Sequence, residues 1–538
     1  MPVGVEIERI RAEDKGRMAT EPKLESGKHV VVVLILIVTL YIASVVAGWP
    51  QRATDRIAAK QRESVAVQQS SGEGKAGEGL LAGATTACPP FWMIFPFAIL
   101  LVSIAVLPLI PQASHWWDSN LHKFYVAGGL GLLTLAYYLF IYRQPVVAHW
   151  PVNYIAHPAI KGLNWSVSGT ILSNSMLNEY VPFIVLLFSL YTITSGIRIE
   201  GDLRAHPLTN TTFLAVGIVL ASLIGTTGAA ILLIRPLLET NRERKHVHHT
   251  VIMFIFAVCN CGGCLLPIGP PLFIGYLFGV PFLWTLKLWR PWLLVNALLL
   301  VVYFLWDHFW YYPREAIRDI QRDETDVRPL QFRGIWPNAF LLVGVILSSA
   351  LFDPNKTIPG TNWHPWVFLR EAVQVGLIVL SLCWTRRAIR QDNNFNYGAI
   401  LEVAVLFLGI FICMQAPLQI TNVWGASLGL TTPAHFFWAS GSLSSVLDNA
   451  PTYAVFFEAA HSLGGNPAVA GVQESLLVAI SLGSVFMGAM TYIGNGPNFM
   501  VKSIAEKSGV LIPSFFGYMA YSIAILLPIL ALVGIWLL

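Results

Sequence analysis

Two short stretches rich in Gly and Pro interrupt otherwise apolar segments of this chain, and they resemble each other. The first is CLLPIGPPLFIGYLFGV at residues 264–280, the second MTYIGNGPNFMVKSIAE at residues 490–506. Gly and Pro break helices, so each stretch leaves backbone amides and carbonyls without helical partners. At membrane depth such backbone is tolerated only where it lines a polar cavity or is buried in protein. Paired broken helices in corresponding halves point to the binding site of a secondary transporter.

Composition supports a membrane setting. Of 538 residues 55% are hydrophobic and only 12% charged, against about 25% charged in a globular domain. Apolar runs long enough to cross about 30 Å of hydrocarbon recur along nearly the whole chain. The class is an all-α polytopic membrane protein whose first partner is the lipid bilayer. A net charge of +4 gives no reason to expect nucleic acid. The six cysteines lie mostly in apolar segments, so no disulfide framework is implied. Cys259, Cys261 and Cys264 have two readings: thiolates for a soft metal, or small packing residues in a Gly-rich helix contact.

The polar lead of residues 1–29 precedes an apolar run at 30–48. Both are longer than in a cleaved signal peptide, so an uncleaved first span is expected. Residues 49–85 are polar, with SSGEGKAGEG in their middle, and predict a flexible external loop within the unit 30–90. Further spans are expected at 91–111, 124–142, 178–196, 250–284 (broken), 291–308, 336–351, 366–384, 397–417, 474–500 (broken) and 513–538. That makes about 11 transmembrane helices. Two more apolar segments, 210–239 and 435–461, are interrupted by GTTG and DNAP.

The distribution of positive charge arbitrates their topology. With both segments as re-entrant hairpins and the N-terminus cytoplasmic, cytoplasmic segments hold 22 of the 34 Lys and Arg. Making either a full span moves Arg386, Arg387 and Arg390, or Lys502 and Lys507, to the wrong face. The two-hairpin arrangement places the C-terminus outside and exposes two inverted repeats. Residues 91–308 and 336–538 each run span, span, span, hairpin, broken span, span, joined by a charged cytoplasmic linker at 309–335.

Asp448, in SSVLDNAPTY, falls at the turn of the second hairpin. An Asp at the bilayer centre costs about 2.5–3.5 kcal/mol, which makes it a functional candidate. Two readings coexist: a group that binds a proton or a hard cation, and an N-cap for the hairpin's second arm. Asn449 and Thr452 add neutral oxygens. Thr226 and Thr227 occupy the corresponding tip in the first half, in IGTTGAA. Asn495 and Asn498 flank the second break beside Gly494. In the first break Gly269 precedes Pro270 and Pro271, which lack donors and leave carbonyls free.

Glu402 is either a second proton-coupling group or an interfacial side chain. Glu458 and Arg235, past the hairpin tips, are expected at the interface. The run NRERKHVHHT from Asn241 has the residues of a metal or pH-sensing cluster, but a solvated cytoplasmic turn is the expectation. No phosphate loop, H-E-x-x-H or G-x-S-x-G motif is present, so neither an ATP-driven pump nor an intramembrane hydrolase is expected. Asp448 with His435 or His461 is the only loose candidate for an enzymatic pair.

Four segments carry a family likeness: CGGCLLPIGPPLFIGYLFGVPFLWTL (261–286), ILEVAVLFLGIF (400–411), SGSLSSVLDNAPTYAVFF (440–457) and FMGAMTYIGNGPNFMVKSIAE (486–506). Over roughly residues 90–538 the chain resembles the ion transporter superfamily, and within it NhaD-type sodium/proton antiporters and their citrate-transporter relatives. The resemblance implies a homodimer with a scaffold domain and a transport domain that moves like an elevator. It also implies ion sites at Thr226–Thr227 with the 267–271 break, and at Asp448–Asn449 with the 494–498 break. Relatives often carry an Asp between the Gly and the paired Pro of the first break, whereas here Gly269 meets Pro270 directly.

The leading functional expectation is sodium/proton exchange, with Asp448 as the group for which the two ions compete. The alternative is cation-coupled transport of citrate or another dicarboxylate. That substrate asks for positive groups, and no Lys or Arg lies at either tip, although half-helix N-termini can substitute. No cofactor and no resident metal are expected beyond transported sodium and protons. The expected location is the cell (inner) membrane.

Overall fold

Helix formation follows hydropathy along most of the chain. The computed structural model describes residues 27–70, 88–150, 154–325, 327–358 and 360–536, and these are mostly helical. Residues 1–26 of the expected cytoplasmic lead and residues 71–87 of the external loop lie outside the described residues. Large apolar side chains such as Val32, Leu132, Phe340 and Phe516 are more than half exposed. Apolar surface on that scale belongs in lipid rather than water, so the chain is an integral membrane protein.

Six helices among the described residues are long and apolar enough to cross a membrane, or eight if two bent pairs each count as one. The expected eleven exceed that number for a physical reason. Ile335–Leu351 and Leu369–Trp384 have only 17 and 16 residues, and the two broken helices are divided into pieces. The first broken helix comprises His248–Phe256, a π-turn Ala257–Cys261 and, after the break, Pro270–Leu277. The second comprises Glu474–Phe486, a 3-10 turn Met487–Met490 and, after its break, Gly496–Lys507.

The segment Pro207–Thr240 is not one straight rod. Gly225 adopts φ 78°, ψ 156°, a backbone conformation open to glycine and strained for other residues. There the chain turns back, and Asn210 and Asn241 exchange side-chain hydrogen bonds, both 2.8 Å long. In an unbroken helix those two residues would lie about 46 Å apart. The result is a helical hairpin with its open end clasped. A second hairpin joins Pro433–Ser444 to Asn449–His461, with Phe436 and Phe456 packed across its arms. Its first arm lies tightly on the second broken helix, because any side chain on Gly441 or Gly483 would collide with that neighbour.

Three expectations need correction. Residues 49–70 are not loop but a helix, Trp49–Ser70. Its Ala, Gln, Arg and Glu residues are strong helix formers, and buried Thr54 anchors it by accepting from Val367 N at 3.1 Å. The span expected at 178–196 belongs to a longer helix, Trp165–Thr194. The polar run SVSGTILSNS hid its beginning, yet several of those polar groups are satisfied internally. Asn174, for instance, accepts from His149 N and donates to Val147 O at 2.8 and 2.9 Å.

The third correction concerns strands, which an all-α reading omits. Two-stranded antiparallel ribbons pair Val146–Ala148 with Tyr154–Ala156, Arg198–Asp202 with Arg328–Arg333, and Ala468–Val469 with Val472–Gln473. The middle ribbon ties the linker between the halves to the loop before the first hairpin. Its register sets Arg198 opposite Arg333 and Glu200 opposite Gln331, and Glu200 bridges both arginines.

That ribbon has a predictable response to acid. The hydrogen bond from Arg198, reinforced by Arg333, holds the Glu200 carboxyl below the usual carboxylate range. A group depressed in this way stabilises the fold above its ordinary value of about 4.3 and loses that contribution as pH falls through its folded-state value. Hydrogen exchange at residues 198–202 and 328–333 is expected to accelerate on acidification below that range. Glu200→Gln is expected to remove this pH step.

Candidate functional site

Each break begins a new half-helix by local rules. Gly269 occupies the N-cap before Pro270–Leu277, and Pro270 and Pro271 take the first two helical positions, where a missing amide costs nothing. Asn495 is the N-cap of Gly496–Lys507, with Pro497 second. The peptide groups freed upstream then need partners from elsewhere.

They find them in each other. Asn260, at the end of the first broken helix's π-turn, donates to Asn498 Oδ1 at 2.8 Å. Asn495 donates to the Cys259 carbonyl at 2.8 Å and to Asn260 Oδ1 at 3.1 Å. Asn498 donates to the carbonyls of Gly488 and Thr491 at 2.9 and 3.0 Å. All three asparagines are buried. A net of amides therefore joins the two breaks across 238 residues of sequence.

The tip of the second hairpin closes over this net. Thr491 donates to the Ser445 carbonyl at 2.5 Å. A Cβ on Gly494 would come within 2.6 Å of the Gly488 carbonyl and 2.8 Å of the Ser444 carbonyl, so only glycine fits there. Asp448 is the N-cap of Asn449–His461, its carboxylate accepting from Ala450 N at 3.3 Å. Thr452 donates its hydroxyl to the Asp448 carbonyl at 3.0 Å. Asn449 is 2% exposed, and its buried side-chain oxygen has no hydrogen-bond partner. Its nitrogen lies 3.7 Å from a Cβ built on Gly488, a position itself 3.0 Å from Asn260 Oδ1.

The first tip meets the first break in the same manner. The Ser222 hydroxyl donates to the Gly262 carbonyl. The methyl of buried Thr226 occupies the space that a side chain on Gly263 would need, and Thr227 is half-buried beside it. A Cβ on Gly269 would lie 3.5 Å from the Gly263 carbonyl. Thr226, Gly269 and Pro270 thus form one cluster, and Asp448, Asn449, Gly494, Asn495 and Asn498 another. Residues 259–263 adjoin both.

Glu402 joins neither cluster. It pairs with buried Lys123 at 2.7 Å. Asn260 and Thr491, in contrast, are site residues that the sequence reading missed. The signal was an amide inside the apolar run just ahead of a break, in CNCGG, where only the cysteines drew notice.

The solvated-turn reading of NRERKHVHHT is overturned. Arg244 makes a two-pronged contact with buried Asp307, at 2.5 and 2.9 Å, and His249 Nε2 donates to the same carboxylate at 2.9 Å. Glu315 accepts from the amides of Lys245 and His246, both at 2.9 Å. The counter-charges come from more than 50 residues downstream, out of reach of local patterning. No three His, Cys, Asp or Glu gather as a metal centre among the described residues, and Cys259, Cys261 and Cys264 are buried free thiols. Arg235 reaches the Asp392 carbonyl at 3.4 Å, and Glu458 accepts from Asn422 at 2.8 Å.

Chemically, the second cluster offers a carboxylate, an unpartnered amide oxygen and carbonyls of interrupted helix, a donor set that suits a hard cation. The N-termini of Asn449–His461 and Gly496–Lys507 also end there, and their dipoles favour an anion. Residues 86–538 match the family described as putative citrate transport. No curated protein matches the chain.

The amide net and the orphaned oxygen make opposite demands on stability. Asn498→Leu strands the Gly488 and Thr491 carbonyls and the Asn260 amide. It is expected to cost at least about 1–3 kcal/mol, measured as a lowered Tm in detergent. Asn449→Ala removes an acceptor that bonds to nothing and is expected to leave Tm unchanged or raised.

Proposed function

The chain belongs to the putative citrate transport family, and from that premise we propose that it is a secondary transporter exchanging sodium for protons. In this reading Asp448 and Asn449 are the core of the ion site, with the carbonyls of the second break completing it, and sodium and a proton compete for the Asp448 carboxylate. The observation that carries the reading is the unpartnered Asn449 oxygen beside a carboxylate that has no cationic partner among the described residues. Thr226, Thr227 and the first break form a weaker companion site, lacking an acid. The protein works as a homodimer in the cell membrane, N-terminus cytoplasmic and C-terminus external, with the hairpin bundle moving against the remaining helices as an elevator.

A second reading is cation-coupled uptake of citrate or a dicarboxylate. The family description favours it, as do the two helix N-termini that converge on the site. Substrate carboxylates would then meet backbone amides rather than Lys or Arg.

Proteoliposomes separate the readings. Sodium gradients are expected to drive proton movement, whereas citrate uptake without proton exchange would sink the antiporter reading. Asp448→Asn is expected to abolish exchange while leaving Tm intact, because Asn caps a helix as well as Asp. Full activity in that variant removes Asp448 from the mechanism. Sodium is expected to raise the Tm of the wild type by mass action, and Asn449→Ala to lose that rise.

A further inference from the structure

Midway along the Trp165–Thr194 helix the chain buries an acid that the site above does not use. Glu179 is 4% exposed and lies in a π-turn, Asn174–Tyr180. It is about 20 Å from either end of the helix. π-turns are frequent at functional sites. Its carboxylate accepts one hydrogen bond, from Gln415 Nε2 at 3.0 Å, and no cation pairs with it among the described residues. An apolar residue of this size would pack without the several kcal/mol that an unpaired buried charge costs.

The surroundings continue outward. Glu458 lies on the second arm of the second hairpin, Asn449–His461. Asn422 donates to Glu458 at 2.8 Å and stands 3.5 Å from His461 Nδ1. His461 is exposed at the end of that arm, and its ring covers Gly471, where a side chain would collide with it. Gln415 and Asn422 lie two turns apart on one helix, Gln415–Trp424, hence on one face. One helix face thus supplies the amide that holds each acid.

Other titratable groups on the packed elements are engaged elsewhere. Tyr180 and Tyr276 donate to the carbonyls of Ala404 and Ser349, and Cys413 accepts from Thr134. Lys123 and Glu402 neutralise each other, as do Lys287 and Glu474. Tyr453 is buried on the second arm of that hairpin, and His435 is exposed near the start of the first.

We propose that Glu179 is a proton-binding site, its carboxyl held by Gln415 at the bulge of the Trp165–Thr194 helix. One proton joins the carboxylate and later leaves it, with no other bond made or broken. Coupling to transport rests on the exchange reading above, but proton binding itself does not.

Infrared difference spectra of the full chain in lipid nanodiscs, recorded across pH, test it. A carbonyl-stretch band of a protonated carboxyl is expected to titrate in the wild type and to vanish in Glu179→Gln. It is expected to shift in Gln415→Leu and to persist in Asp448→Asn. In proteoliposomes, Glu179→Gln is expected to keep sodium/sodium counterflow but lose exchange driven by a pH gradient, and Glu179→Asp to restore it. A band that survives Glu179→Gln, or full pH-driven exchange in that variant, overturns the proposal. The infrared arm needs no transport, so absence of exchange in the wild type defeats the exchange reading alone.

Discussion

Backbone polar groups must be satisfied within lipid, and the rest of this structure depends on how two interrupted helices meet that demand. Each unpaired amide or carbonyl at membrane depth costs several kcal/mol. The chain solves the problem by facing the breaks toward each other and inserting side-chain amides between them. Asn260, Asn495 and Asn498 pair with carbonyls and with one another, at 2.8–3.1 Å. Close approach at this point then dictates glycine at 494 and crowds any side chain at 263 or 488. The Asn449 oxygen, one of several buried side-chain atoms without a partner, gains significance because the amides around it are paired.

Buried charge is managed in two contrasting ways. Around Arg244 the protein surrounds a cation with Asp307 and Glu315 and neutralises it. A paired, hydrogen-bonded network of that kind rigidifies, but adds little net stability over apolar packing. At Glu179 and Asp448 the carboxyls have hydrogen bonds but no cation partner among the described residues. Groups left in that condition respond to ions and protons, which is the behaviour a transporter exploits.

Much of this was legible in the chain. Gly225 as a turn, Pro270 and Pro497 as helix starts, and Asp448 as a cap all follow from backbone rules acting within four residues. Long-range pairing was not legible. Asn260 looked like one polar residue among cysteines because its partner lies 238 positions away. Arg244 looked solvated because Asp307 is 63 positions off. Residues 165–177 looked too polar for a span because Thr170, Asn174 and Ser175 are buried against other elements.

By itself the sequence determined the membrane class, the points at which helices break and the chemical inequality of the two tips, since hydropathy, Gly, Pro and Asp act locally. Tertiary structure alone decided which broken ends meet, which buried polar atoms are left without a partner and that Glu179 stands at mid-helix. Those outcomes depend on elements packing across hundreds of residues, and local composition carries no record of a distant partner.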